Sequence, residues 1–356
     1  MKREHEAEAL SVVTGLAAGW LAFAVIVWLH GESPREMAGL LVGGTWGTAY
    51  GAGQVIFKAT PILFCGIAVH IGLRAGLFNI GAEGQMTIAS LVIAAVGASL
   101  GASTPALLAV PLMLGCAAIA GALWAAVPAL LRAKLGAHEV ISTIMTNRIA
   151  DALVGVALGL GLAEKGTVRS ADIAKGARLP RLEAFLPSLR GSAANTSVFV
   201  ALVVLLLATV LWPRSRAGRE QWLVGLNPVA CAAEKISVPR RLAEALIVSG
   251  AVAGLASAAT VMGYKGYYEG GLGAGAGFTG LAVALLGRGR TSGLILAALL
   301  FGTLDQGGLA LNAHIPRESM QVVQAVVIVA VALGDARVRA FMARMPRPAA
   351  AAKAQP

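Results

Sequence analysis

Long apolar runs, separated by short polar connections, fill the chain from residue 10 to residue 334. Each run is close to the length of about 20 residues that an α-helix needs to cross the hydrocarbon core of a membrane. The pattern predicts an all-α, polytopic membrane helix bundle with about ten transmembrane helices. The predicted spans are 10–29, 55–74, 86–100, 105–131, 140–162, 197–212, 242–262, 271–287, 291–311 and 320–334. The stretch 37–53 is a candidate for an additional re-entrant or interfacial helix.

Composition excludes the main soluble classes. Apolar residues make up 57% of the 356 residues and charged residues only 13%, whereas an average soluble domain contains about 25% charged residues. Mean hydropathy is +0.75. These values argue against a disordered chain, a small disulfide scaffold and an ordinary cytosolic enzyme. The three cysteines, Cys65, Cys116 and Cys231, have no metal-binding or redox spacing.

The basic residues indicate orientation rather than nucleic-acid binding. The net charge is +11, but Lys and Arg occur in short clusters between the apolar runs, as the positive-inside rule describes. The connections on the side of both termini carry more of them, so both termini are predicted to be cytoplasmic. The whole chain, 1–356, is then a single transmembrane domain. Its parts outside the spans are a cytoplasmic N-terminus (1–9), an external loop (163–196), a cytoplasmic connection (213–241) and a cytoplasmic tail (335–356).

Two glycine-rich segments interrupt the helical pattern, one in each half of the chain. The first, GLFNIGAEGQ, covers 76–85, and the second, GGLGAGAGFTG, covers 270–280. Broken helices leave backbone groups that must face protein or a wet cavity, and paired interruptions point to a transport site. We therefore expect polar side chains of the first interruption to line a cavity, with plain loops as the alternative. The polar or aromatic residues there are Phe78, Asn79, Glu83 and Gln85.

The span that begins at Glu139 has a polar face. Glu139, Thr143 and Asn147 fall within an arc of about 100° on a helix. Thr143 and Asn147 are predicted to line a pathway, and hydrogen bonding between helices is the alternative. Arg148 lies near the middle of the span, where an unpaired charge costs at least about 3 kcal/mol. Asp151 is predicted to neutralise it in an intramembrane ion pair, for which a structural role is favoured.

The cytoplasmic connection contains a helix-start signature at Asn227 and Pro228, an N-cap residue followed by proline at the first helical position. The alanine-rich run after it predicts a short helix that ends before Pro239. A short helix between basic flanks suits docking to a soluble partner. The alternative is an interfacial helix lying on anionic lipid.

Several chemical signatures are absent from the sequence. It contains no G-x-x-x-x-G-K-[ST] phosphate loop, which argues against an ATPase site of that kind in this chain. The five histidines have no ligand spacing with acids or cysteines, and no nucleophile, base and orienting group occur together. We therefore expect neither a metal, a cofactor nor a catalytic residue, and no nucleic-acid partner.

Four motifs together resemble one protein family. GLFNIGAEGQ, HEVISTIMTNRIA at 138–150, VGLNPVACAA at 224–233 and GFTGLAVALLG at 277–287 closely resemble the permease subunits of bacterial ABC importers in the branched-chain amino acid and simple-sugar class. Within this class the chain is most similar to the permeases of nucleoside importers. The motifs occur in the family's order across most of the chain.

The resemblance implies partners and a location. A permease of this kind lies in the bacterial cytoplasmic (inner) membrane, surrounded by lipid, and works with ATP-binding subunits, a second permease subunit and an external substrate-binding protein. The second permease is expected to be a paralogue. ATP hydrolysis is then carried out by a partner subunit, and this chain is a transport subunit rather than an enzyme.

The resemblance also implies roles for individual residues. The translocation pathway is lined by Phe78, Asn79, Glu83, Gln85, Thr143 and Asn147. The loop that docks into the ATP-binding subunit contains Gly225, Asn227, Pro228 and Ala230. Two positions depart from the family pattern: Arg148 stands where an aromatic residue is common, and Glu234 with Lys235 replaces a more neutral, glycine-containing stretch.

Three functions follow from these observations, and the first is preferred. It is ATP-driven import of a nucleoside or a related small polar solute. The second is import of a simple sugar or another solute of the same class. The third is ion-coupled secondary transport through Asp151, Glu83 or Glu139, which does not need a docking helix.

Overall fold

A computed structural model describes residues 2–101 and 103–344, with side chains described between residues 13 and 330. Residues 345–356, which belong to the predicted cytoplasmic tail, lie outside the described residues. The helices of the first half are α1 (Lys2–Leu29), α2 (Pro34–Thr45), α3 (Ala49–Arg74), α4 (Ala82–Ser99), α5 (Ala106–Leu135), α6 (Glu139–Ala157) and α7 (Ser197–Leu206). Those of the second half are α8 (Arg216–Leu226), α9 (Pro228–Ala233), α10 (Val238–Leu255), α11 (Ala276–Gly287), α12 (Thr291–Ala310) and α13 (Arg317–Arg344).

Membrane-length helices dominate the described residues. Seven helices there are long and apolar enough to cross a membrane. The number becomes eight if the bent pair formed by Val13–Leu29 and Pro34–Thr45, which meet at 114°, counts as one span. The predicted all-α, multi-pass membrane architecture is confirmed at this level.

Several helices differ in length from the sequence prediction, and the backbone gives the reason at α11 and α3. The second interruption, which precedes α11, is not helical, because Gly271, Gly273 and Gly275 have φ angles of +81°, +82° and +89°. The predicted span 271–287 is therefore a helix of 12 residues, which rises about 18 Å and is shorter than a hydrocarbon core of about 30 Å.

The stretch 37–53 contains parts of two helices rather than one. α2 ends at Thr45, and Thr48 caps the start of α3 by accepting a hydrogen bond from the N–H of Gly51 at 3.0 Å. The cap starts α3 at Ala49 instead of the predicted residue 55, since an N-cap side chain satisfies an N–H group that a helix start leaves unpaired.

Residues 42–306 form one compact unit. Within it α10 packs along α5, and α3 packs against both α10 and α11. A side chain at Gly121 would collide with the backbone of Gly250 and Gly254. Small residues on both helices thus permit the close backbone approach by which helices associate in lipid.

The loop 163–196 is built from short 3₁₀ turns and irregular backbone. The N–H of Ser170 donates to the carbonyl oxygen of Tyr268 at 2.7 Å, and the N–H of Tyr268 donates to Oγ of Ser170 at 2.9 Å. Asp172 pairs with Arg169 at 3.4 Å and with Arg178 at 3.2 Å. The loop therefore fixes the backbone that leads into the second interruption.

The second compact unit combines the two ends of the chain, residues 1–41 and 307–356. In its described part α1 packs against α13. Gly19 faces Val327 so closely that a side chain at Gly19 would collide with it. Nδ1 of His314 lies 3.1 Å from a carboxylate oxygen of Glu32.

Candidate functional site

The first interruption is a tight turn between α3 and α4. Gly76 has a φ angle of +74°, and a Cβ atom at this position would lie 3.3 Å from the Cα atom of Gly225. Glycine avoids both the strain of a left-handed conformation and the crowding against the second backbone. The turn is therefore packed directly against the end of α8.

Asn79 is the centre of a buried polar cluster inside this turn. Its Nδ2 donates to Oε1 of Gln85 at 2.9 Å and to Oγ of Ser249 at 2.7 Å. Its Oδ1 accepts from the N–H of Gly81 at 3.0 Å and from Nε2 of Gln85 at 3.1 Å. The Ser249 hydroxyl donates onward to the carbonyl oxygen of Ala68 at 2.5 Å. The cluster ties the turn to α3, α4 and α10.

Glu83 joins the first interruption to the second. One of its carboxylate oxygens accepts a hydrogen bond from the N–H of Gly275 and the other from the N–H of Gly277, both at 2.7 Å. These N–H groups belong to the start of α11, where a helix has unpaired donors and a positive dipole end. The carboxylate therefore caps α11 from α4.

Asn147 provides the matching contact from α6. Its Oδ1 accepts from the N–H of Gly84 at 2.9 Å, and its Nδ2 donates to the carbonyl oxygen of Ile80 at 2.9 Å. Thr143 lies one turn earlier and donates to the carbonyl oxygen of Glu139 at 2.7 Å. The amide of Asn147 supplies both the acceptor and the donor that these two contacts use.

The structure brings most of the predicted pathway residues together, but as a packed cluster. Asn79 and Thr143 are 0% exposed, and Glu83, the most exposed of the cluster, is 9% exposed. Their polar atoms bond within the chain rather than facing an open cavity. Lining of a pathway by these residues stays a prediction.

Phe78, Arg148 and Asp151 have a different environment. Phe78 is 42% exposed. Nη1 of Arg148 and Oδ2 of Asp151 lie 3.9 Å apart, and the two side chains are 79% and 57% exposed in this single chain. Both side chains lie on an exposed part of the surface of α6, and an intramembrane ion pair between them stays a prediction.

Tyr268, outside the helices, is a further member of this neighbourhood. Its side chain is 2% exposed. Burial, assisted by the negative charges of Asp151 and Glu83, raises the pKa of Tyr268 to about 12. The phenol therefore stays protonated and neutral near pH 7.

The predicted helix start at Asn227 is confirmed. Oδ1 of Asn227 accepts a hydrogen bond from the N–H of Ala230 at 3.0 Å, and Pro228 occupies the first turn of α9, which ends at Ala233. Gly225 packs against the backbone at Arg74 and Gly76 so closely that a side chain would not fit. The residues just before the capped helix therefore pack against the end of α3.

A charged network supports the same loop. Glu220 of α8 lies 2.7 Å from Arg216 and 2.5 Å from Arg241. The hydrogen bonds from Arg216 and Arg241 lower the pKa of Glu220 below its ordinary value, against the opposing effect of burial. Lys235, just after α9, has a φ angle of +60°, a left-handed conformation that favours glycine.

Sequence reasoning missed Ser249 and the backbone donors of the second interruption. Ser249 is fully buried at 0% exposure. The available signal was a hydroxyl in the otherwise apolar run of 242–262. No sequence signal pairs Glu83 with two N–H groups from the other half of the chain. In the part of the chain that the structure describes, no three His, Cys, Asp or Glu residues could hold a metal ion.

Comparison with known proteins identifies the family. The model of the family described as the permease component of the branched-chain amino acid transport system matches residues 51–332. The chain belongs to this family. The permease is thus a transport subunit with several membrane-length helices, and the resemblance stated from the motifs is confirmed.

Individual relatives are similar over nearly the whole chain. The permease is 34% identical to the guanosine ABC transporter permease protein NupP of Bacillus subtilis, over 91% of each chain. It is 31% identical to the glucose ABC transporter permease protein TsgB13 of Haloferax volcanii, over 90% of this chain and 84% of that one. It is 29% identical to the nucleoside ABC transporter permease protein NupB of Lactococcus lactis, over 88% of each. No solved structure matches.

Proposed function

We propose that this permease is one of two permease subunits in an ATP-driven importer of nucleosides in the bacterial cytoplasmic membrane. The observation that carries the substrate assignment is the 34% identity, over 91% of both chains, to a guanosine permease. An external substrate-binding protein delivers the nucleoside. ATP-binding subunits hydrolyse ATP, and this chain forms no covalent bond to the solute.

The proposed topology has ten crossings with both termini in the cytoplasm. Nine are complete helices, namely α1, α3, α4, α5, α6, α10, α12, α13 and the continuous helical stretch Ser197–Arg214 that begins with α7. The tenth is α11 together with the glycine-rich segment before it, which enters from the external side. The excess of Lys and Arg in the connections on the side of the termini supports this orientation.

We place the passage between this permease and the second one, along the outward face of α6. Arg148 and Asp151 lie on this face, about halfway along the helix, where contact between a charge and lipid costs at least about 3 kcal/mol. A shallow cavity of ≈ 340 Å³ lies beside Arg148 and is otherwise lined by apolar side chains. A second subunit across this face removes the charges from lipid.

The buried cluster has a second role in this proposal. Phe78, Arg148 and Asp151 contact the solute in the packed state, since they are exposed. Asn79, Glu83, Gln85, Thr143 and Asn147 line the passage when the contact between the two interruptions opens. Alternating access of this kind is a rigid-body movement of one helix group against another. Hydrogen bonds to the solute must be weak and transient, because a tight site would retain it.

α9 transmits the movement from the ATP-binding subunits. The helix is short and is capped by Asn227. Gly225, just before it, packs against the backbone at the end of α3. Val229 is 79% exposed and Leu226 is 64% exposed, which leaves apolar side chains for a partner. Docking at Gly225, Asn227, Pro228 and Ala230 would pass closure of the ATP-binding subunits to α3 and the first interruption.

Uptake of labelled guanosine by proteoliposomes tests this function. The vesicles contain the complete assembly with its external binding protein. We expect ATP-dependent uptake that unlabelled guanosine inhibits and glucose does not. Uptake of glucose instead would overturn the nucleoside assignment and favour a sugar permease, for which the 31% identity to a glucose permease speaks. Uptake by the purified chain alone, without ATP, would favour ion-coupled transport.

A further inference from the structure

A second cavity lies where α3 and α11 end and α8 passes, on the side of the membrane proposed to be cytoplasmic. Its volume is ≈ 450 Å³, within the range of about 300 to 1,000 Å³ that is usual for small-molecule sites. It is separate from the cluster around Asn79 and from the face of α6. The described residues that line it include no Asp or Glu.

Three cationic or basic side chains line this cavity: His70 and Arg74 of α3, and Arg288 after α11. His70 is 5% exposed, and its Nε2 has no hydrogen-bond partner among the described residues. Nε of Arg74 is likewise buried and without a partner in the described part of the chain. Both atoms have almost no accessible surface, so a ligand in the cavity would meet other atoms of these two side chains.

Arg288 is the C-cap residue of α11 and lines the cavity. Its φ angle is +49°, between Gly287 and Gly289. Helices commonly end on a residue in this left-handed conformation, which is usually glycine. The cap places Arg288 at the same cavity as His70 and Arg74.

Trp222 of α8 supplies an aromatic wall. An indole face can stack on a planar ring, and stacking of a nucleic-acid base on an aromatic side chain is worth about 1 to 3 kcal/mol. Guanidinium groups bind phosphate through paired hydrogen bonds. Two guanidinium groups, an imidazole and an indole around one cavity match an anion that carries a phosphoryl group and a planar ring.

We propose that this cavity binds a small phosphate ester with a planar ring, of which a nucleoside monophosphate is the simplest example. Its position beside Gly225, on the loop proposed to dock the ATP-binding subunit, gives the site a regulatory role. A nucleoside monophosphate made in the cytoplasm by an ATP-dependent kinase, with ADP as the other product, would bind in the cavity and slow further uptake. This regulatory role rests on the proposed nucleoside import; the binding site itself does not.

Equilibrium dialysis with labelled GMP tests the site. The full chain is placed in nanodiscs of neutral phosphatidylcholine without ATP-binding subunits, so that no ATP site competes. We expect GMP to bind at least tenfold more tightly than guanosine. Arg74→Gln and Arg288→Gly are each expected to weaken GMP binding at least tenfold. Arg219→Gln, an α8 variant away from the cavity, is the matched control and keeps parental affinity.

The Arg288→Gly variant separates binding from folding. Glycine removes the guanidinium group and relieves the left-handed conformation at the same position. Thermal unfolding, measured beside the affinity, shows whether the variant is as stable as the parent. Equal affinity for GMP and guanosine, or unchanged GMP affinity in both variants, would overturn the proposal. A third result would also overturn it: the parent does not bind GMP, and the Arg74→Gln variant no longer retains the ATP-binding subunit. The cavity would then be a docking site for an acidic side chain of that subunit.

A comparison of two lipid compositions identifies the source of the phosphoryl group. Nanodiscs that contain phosphatidylglycerol are compared with the neutral ones. Unchanged GMP affinity supports a free phosphate ester as the ligand. Weaker GMP binding in the anionic discs, with the same loss in Arg74→Gln, supports the phosphoryl site and assigns its occupant to a lipid headgroup. Neither result depends on transport. If GMP does not bind, the proposed nucleoside import is still tested separately by guanosine uptake.

Discussion

The carboxylate of Glu83 accepts the backbone N–H of Gly277 at 2.7 Å, across a separation of 194 residues in the chain. The hydrogen bond joins the start of α4 to the start of α11. It satisfies helix N–H groups that water cannot reach in a bilayer, where each unpaired group is costly. The two interruptions of the helical pattern are thereby one structural unit.

Replacing Glu83 is expected to loosen this unit. Glu83→Ala removes two charge-assisted hydrogen bonds and leaves two buried N–H groups unpaired, a loss of about 3 kcal/mol. Glu83→Gln retains one acceptor oxygen and is expected to fall between Ala and the parent. The measurement is thermal unfolding of the purified permease. Glu164→Ala, in the loop 163–196, removes only an exposed ion pair with Arg169 and is the control, which should change little because exposed pairs contribute little to stability. An unfolding temperature of Glu83→Ala equal to the parent's would contradict the capping role.

Opening of the packed cluster can be measured by cysteine accessibility. In a cysteine-free background, Thr143→Cys is expected to resist a water-soluble thiol reagent in the resting assembly, because Thr143 is 0% exposed. During ATP turnover it is expected to react. Phe78→Cys, from a side chain already 42% exposed, should react in both conditions. If Thr143→Cys stays unreactive while guanosine is transported, Thr143 does not line the passage.

The cap of α9 is expected to control coupling. Asn227→Ala removes the hydrogen bond to Ala230, which stabilises the helix start by about 1 kcal/mol. We expect more ATP hydrolysed per guanosine imported, and weaker retention of the ATP-binding subunit in pull-downs. Asn227→Asp keeps an acceptor oxygen and should restore both. Equal coupling in Asn227→Ala and the parent would remove the cap from the mechanism.

Lys235 offers a stabilising substitution. Lys235→Gly relieves a left-handed conformation and is expected to raise the free energy of unfolding by up to about 1 kcal/mol. Lys235→Ala removes the same charge but keeps Cβ, so no gain is expected. Thermal unfolding of both variants provides the comparison. Equal gains would show that the charge, not the backbone, is responsible.

The Glu220 network gives stability a dependence on pH. Because the pKa of Glu220 is lowered in the folded protein from its ordinary value of 4.5, its contribution is present above that value and disappears as the pH falls through the folded-state pKa. Glu220→Gln should therefore unfold at a lower temperature than the parent at pH 7, and the difference should shrink below pH 4.5. A constant difference across this range would argue against the ion pairs as its cause.

A matched control comes from the same loop. Glu234→Gln removes a carboxylate that forms no ion pair among the described residues, and we expect it to leave the unfolding temperature at pH 7 unchanged. A decrease equal to that of Glu220→Gln would mean that total charge, rather than contact with Arg216 and Arg241, stabilises the loop.

The face of α6 shows where sequence reasoning stops. The arc of Glu139, Thr143 and Asn147 predicted a polar face, and these residues are buried as expected for a face that avoids lipid. Asp151 follows Asn147 by four residues and is its neighbour on the helix surface, yet Arg148 and Asp151 are 79% and 57% exposed. Periodicity predicts a polar face but does not say where its buried part ends, because that depends on how distant segments pack.

The sequence by itself determined the all-α membrane architecture, since backbone groups in lipid must be satisfied within each segment. It also determined the start of α9, since the cap at Asn227 uses neighbours only three residues away. Tertiary structure alone decided that Glu83 caps α11 and that Ser249 completes the Asn79 cluster, because these contacts join segments 170 or more residues apart. It also decided that His70, Arg74 and Arg288 share one cavity. Hydrophobic periodicity carries no information about such pairings.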